Sequence, residues 1–173
     1  MPNGAPPLDL PANWIQATPV PGTTEVGLWS RDGTPPGDYP VRVVYTVQGA
    51  SAGSYTDVVA RLSKIMTCKS SNPIVAQMLP MVGCAIVDRE EQCDGHPAHR
   101  YIRTPLLGHQ ERIAITEVIV PWGAGFMSVE YDRPASELSL DSAGRERTDP
   151  VLDAMRKWCE AAALSSPVPA PSP

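Results

Sequence analysis

Five consecutive residues, Gly49-Ala50-Ser51-Ala52-Gly53, satisfy the G-x-S-x-G pattern in which a serine on a tight strand-to-helix turn becomes a nucleophile. Such a serine needs helix N–H groups directly behind it to hold an oxyanion, and an acid and then a histidine downstream to accept its proton. Neither requirement is met. Ser54-Tyr55-Thr56-Asp57 is a capping box that opens a helix only after Ser51 has passed, and the last histidine, His109, falls in the turn PLLGHQ between two strand-like runs. A small serine hydrolase using Ser51 is therefore the alternative reading; the favoured one is a small-residue joint with no catalytic residue. A second constellation, Cys93-Asp94-Gly95-His96-Pro97-Ala98-His99, gathers a thiol, a carboxylate and two imidazoles, a donor set suited to a transition metal. Asp94-Gly95 is above all a turn signal, however, and it leaves His96 in the turn and His99 on the next strand. No convergence of three ligands follows, so neither a metal nor a cofactor is assigned. Asp88, Glu90 and Glu91 around Arg89 could supply acid–base chemistry but read as the solvated end of a strand.

The elements that would position these groups are legible from periodicity. Glu25 to Ser30 and Val41 to Val47 are β-branched or aromatic runs separated by RDGTPPGDYP, a segment dense in turn residues. After the capping box, Val58, Val59, Leu62, Ile65 and Met66 recur at helical spacing, which predicts a helix over 55–67. Cys84 to Gln92, Ala98 to Thr104, Arg112 to Pro121 and Phe126 to Asp132 then read as a meander of strands. Asp149 as N-cap and Pro150 at the first helical position open a second helix, with Val151, Leu152, Met155, Trp158, Cys159 and Ala162 on one side, ending near Leu164. The class is α+β, an antiparallel sheet with helices packed on it. Trp14, Trp29 and Trp158 are expected in the core, whereas Trp122, at the tip of the WGAG hairpin, is a candidate exposed contact anchor.

A chain of 173 residues fits one domain, taken as 9–164, between a flexible N-terminal segment 1–8 and a Pro-rich disordered tail 165–173. The 19 acidic and 14 basic residues give a net charge of -5, and no Lys/Arg run could track a phosphate backbone, so nucleic acid is not expected as a partner. No apolar stretch approaches the roughly 20 residues needed to cross a bilayer. MPNGAPPLDL lacks the basic and apolar regions of a signal sequence, which leaves two expectations: a cytosolic chain, or the mature portion of an exported one.

The order of particular motifs is also familiar. Leu10-Pro11-Ala12-Asn13-Trp14, DGHPAHRYIRT (94–104), ITEVIVPWGAGFMSVEYDRP (115–134) and DPVLDAMRKW (149–158) resemble, in that order, the opening, a central strand, the long final hairpin and the closing helix of the PsbP-like superfamily. That group holds the photosystem II subunit PsbP, the Ran-binding factor Mog and actinobacterial LpqN/LpqT envelope lipoproteins. The resemblance implies a sheet flanked by helices on both faces, and proteins that bind partners without a shared catalytic apparatus. It places the chain nearest the exported, lipoprotein-like actinobacterial branch, although no lipobox is visible. Cys84 and Cys93, an odd number of residues apart on one strand, would point to opposite faces, so Cys68–Cys84 and Cys93–Cys159 would each staple a helix to the sheet. Four buried thiols in a cytosolic protein is the other reading. Together these observations point to a non-catalytic binding or adaptor protein of the envelope or secreted, taking protein partners or an apolar ligand in a groove between helix and sheet. A cytosolic adaptor or secretion chaperone on the same fold is the third possibility.

Overall fold

The computed structural model describes residues 5–19, 24–34, 38–46, 55–67, 83–107, 111–123 and 125–165. In chain order the elements are strands β1 (Trp14–Ala17), β2 (Glu25–Arg31) and β3 (Val41–Thr46), helix α1 (Tyr55–Met66), strands β4 (Ala85–Cys93), β5 (His96–Arg103), β6 (Leu106–Leu107), β7 (Glu111–Trp122) and β8 (Gly125–Pro134), and helix α2 (Pro150–Ser165). Every pairing is antiparallel, and the sheet runs β1-β2-β3-β8-β7-β5-β4, with the short β6 on β7. The β4–β5 hairpin turns at Asp94-Gly95, both at positive φ (50° and 80°), the backbone twist that two-residue hairpin loops require. The α2 N-terminus is capped as its sequence demands: Asp149 Oδ1 accepts the N–H groups of Val151 (2.7 Å) and Leu152 (2.9 Å).

Helix α2 buries Val151, Ala154, Met155, Trp158, Cys159 and Ala162 in a cluster that includes Val118, Val120 and Trp122 of β7 and Met127 and Val129 of β8. Tyr101 and Ile119 form a second cluster, against which Tyr55 and Leu62 of α1 pack. Cys93, the last residue of β4, is disulfide-bonded to Cys159 on α2.

Several expectations need correction. Trp122 is 1% exposed and cannot be a contact anchor: the β7–β8 ladder runs to the pair Trp122↔Gly125, which places the indole with Val118 and Val120 under α2. The segment 1–8, expected to be loose, contributes Leu8 to the core, with Ala5 packed on the same cluster. Strand β1 was not foreseen. Trp14 N–H closes a turn onto the Pro11 carbonyl at 2.9 Å, and the four residues from Trp14 to Ala17 pair with β2. The face assignment of Cys84 assumed unbroken alternation, but a β-bulge interrupts β4 between Ala85 and Val87. Cys84 is exposed and disulfide-bonded; Cys68 lies outside the described residues, as do Ser51, the capping Ser54, His109 and residues 166–173 of the tail.

Candidate functional site

A cleft of about 580 Å³ opens between the first turns of α1 and the end of the β4–β5 hairpin, lined among others by Tyr55, Val59, Glu90, Gln92, Pro97 and His99. The local sequence explains its shape. The amphipathic α1 turns Tyr55, Val59 and Leu62 toward the sheet, and the Asp94-Gly95 turn ends the two strands that form the floor. At one side of this floor His99, 5% exposed, lies with Nε2 2.6 Å from Asp88 Oδ1. Ser63 of α1 donates to the same Asp88 oxygen at 3.1 Å, and its hydroxyl also lies 3.1 Å from the Tyr101 phenol. Tyr101 in turn donates to the Val59 carbonyl at 3.0 Å. Burial raises both phenols: Tyr55 is pushed up to about 12, with Tyr101 and Glu90 adding to it, and Tyr101 is raised in the same way despite the Ser63 hydrogen bond. Both remain protonated donors near neutral pH.

Two further polar networks lie on the sheet. On the α2 side, Arg133 (3% exposed) pairs with Glu146, which also accepts from Thr116 (2.6 Å) and Arg100 (2.9 Å); Arg100 then reaches Glu91 at 2.8 Å, where Arg89 joins. On the other side of the strands, Arg42 Nη2 donates to Asp132 at 2.8 Å and lies 3.2 Å from Glu130. Glu117 stands opposite Glu130 in the β7–β8 register. Burial first, and Glu130 second, push the Glu117 carboxyl up to about 7. Burial also raises Asp132 to about 6, against the pull of Arg42.

The structure thus redistributes the residues singled out in the sequence. Cys93 is tied to Cys159, His96 is exposed at the hairpin, and His99 is engaged with Asp88; among the described residues no three His, Cys, Asp or Glu side chains are grouped to hold a metal. The carboxylates expected to form a solvated strand end are exposed at Asp88 and Glu90, although Asp88 also bonds His99 and Ser63, while Glu91 belongs to the Arg100 network. Sequence reasoning missed Ser63, Tyr101, Glu117, Arg133 and Glu146. Glu117 carried a signal, since a lone acid between Thr116 and Val118 in an apolar run is a polar residue on a buried strand.

No protein-family model and no curated protein matches the chain. Solved structures do. LpqN of Mycobacterium tuberculosis, described as involved in cell envelope biogenesis, is similar over 91% of this chain and 79% of its own, at 10% identity and a TM-score of 0.47. Cyanobacterial PsbP (CyanoP) from Synechocystis sp. PCC 6803 is similar over 90% of this chain and 81% of its own, at 14% identity and a TM-score of 0.45. At such identities and scores the likeness is one of fold, and no residue role or activity passes from either protein to this chain. Among the described residues no helix is long and apolar enough to cross a membrane.

Proposed function

We propose that this chain is a non-catalytic, PsbP-like binding protein that works outside the cytoplasm, in the envelope or secreted, and takes a partner at the cleft between α1 and the β4–β5 hairpin. The wiring of the polar groups beside that cleft carries the reading. His99 and Ser63 both bond one oxygen of Asp88, and the other neighbour of Ser63 is a phenol. A Ser-His-Asp hydrolase needs the reverse order, with imidazole between the serine and the acid, so that the imidazole can accept the hydroxyl proton and return it to the leaving group. Here the carboxylate sits in the middle and fixes both neighbours in place. Helices on both faces of the sheet are part of the proposal, supported by the clustering of Ile119 with α1 residues and of its neighbours Val118 and Val120 with α2. An oxidising compartment is supported by the Cys93–Cys159 bond, which a reducing cytosol would not maintain. Residues Val59, Pro97 and Ala98 give the cleft an apolar component for protein or ligand contact.

A fluorophosphonate probe tests the absence of catalysis. The expected result is no labelling of the wild-type chain. Labelling that disappears in Ser51→Ala or Ser63→Ala would overturn the reading in favour of a serine hydrolase.

A further inference from the structure

Strand β4 stands last in the sheet order, and among the described residues it pairs with β5 alone, continuously from Val87 to Cys93. A strand paired on one side presents a row of main-chain N–H and C=O groups on the other, which a strand from another molecule can complete. We propose that this edge takes an extended peptide segment carrying lysine or arginine at alternate positions, which joins the sheet beside β4 as a further strand. The inference rests on the reading of the chain as a binding protein and names the chemistry of its partner.

Charge selects the occupant. Asp88 and Glu90 stand two residues apart on one side of the strand, the spacing at which alternate side chains of an added strand lie beside them. Glu90 is exposed, and no cation among the described residues pairs with it. Asp88 uses Oδ1 for His99 and Ser63. The cations on the opposite side of β4 and β5 are committed elsewhere, Arg89 to Glu91 and Arg100 to Glu91 and Glu146. Glu90 also borders the cleft beside Tyr55, so an ammonium or guanidinium drawn to it approaches an aromatic ring.

A second copy of the chain is a poor occupant. An antiparallel self-pairing centred on Asp88 or Glu90 opposes each to itself; one centred on Arg89 opposes two arginines and sets Asp88 against Glu90. The same charges that oppose self-association favour a strand of opposite charge, beside the regular stretch of β4 that follows the bulge at Ala85/Val87.

The test uses the full chain and a fluorescein-labelled peptide of alternating lysine and threonine, as long as β4, with binding followed by fluorescence anisotropy and by amide NMR. The expected result is saturable binding that shifts the amide signals of 86–92 and weakens roughly fivefold in Glu90→Lys. A peptide of the same charge, N-methylated at alternate amides, should bind at least about tenfold more weakly, because it cannot form the ladder. Should Glu90→Lys fail to fold, Glu90→Gln serves, with a smaller loss in the same direction. Equal binding of the N-methylated peptide, shifts confined to residues outside β4, or an intact peptide that does not bind would each overturn strand addition. Cleavage of the peptide, seen by mass spectrometry, would instead overturn the non-catalytic reading on which it rests.

Discussion

Glu117 and Glu130 face each other across β7 and β8 with Asp132 one position along the same side, and among the described residues Arg42 and Arg103 supply nearby positive charge. A carboxyl so placed loses hydration when it ionises and gains a like-charged neighbour, which is why Glu117 titrates at about 7. Because the folded value lies above the unfolded one, the folded chain binds the proton more tightly. The stability linked to that proton is full below about pH 4.5 and is lost as pH rises through 7; Asp132 follows between about 4 and 6. Replacing Glu117 by Gln removes the ionisation and keeps the volume. Urea unfolding should find Glu117→Gln close to wild type at pH 4 and more stable by on the order of 2 kcal/mol at pH 8. An advantage independent of pH would show that the carboxyl does not titrate in this range. At this same scale Trp122 changes meaning: a side chain that looks exposed because it nears a turn is buried because it stands at an even step from Val118 and Val120.

At the scale of elements, most boundaries follow from local chemistry. Asp149-Pro150 starts α2 because a carboxylate can take two free N–H groups while proline gives up none that a helix needs at that position. The hairpins β4–β5 and β7–β8 lie where Asp94-Gly95 and the WGAG segment marked them. The segment from Leu138 to Thr148 was not legible. It carries no apolar period, and its place is set by Asp141, which accepts the Ala143 and Arg145 N–H groups, and by Glu146, which pairs with Arg133 and Arg100. Glu146 is the hinge of that arrangement, since Arg133 is 3% exposed and Glu146 is its partner carboxylate, the Thr116 hydroxyl being its other acceptor. Glu146→Ala should cost about 3–5 kcal/mol, because it leaves a buried guanidinium uncompensated, and a second change, Arg133→Met, should recover part of the loss. Chemical denaturation of the single and double variants distinguishes this from a surface pair, for which both changes would be worth less than about 1 kcal/mol and nearly additive.

For the whole molecule, Cys93–Cys159 ties the hairpin end of β4 to the middle of α2 across 66 residues. Closing a loop of that length restricts the unfolded chain by about 4 kcal/mol, enough to decide the fate of a domain of this size. The double variant Cys93→Ser/Cys159→Ser should lose about that much in urea unfolding. Thiol titration of the unreduced, denatured wild type should find no free thiol at either position; free thiols there would argue for a reducing compartment. The sequence by itself determined the antiparallel α+β class, both helices with the cap of the second, and six of the strands, because hydrophobic period, turn residues and capping act between near neighbours; the Cys93–Cys159 pairing stood beside a reading of four buried thiols, and only the fold brings those two residues together. Only the tertiary structure decided that β3 lies beside β8, that β4 is last among the described strands of the sheet, and that His99 and Ser63 meet at Asp88. Those outcomes depend on which distant strands pair and on a bulge that shifts the register, choices that local patterns leave nearly equal in energy and that burial of the whole core settles.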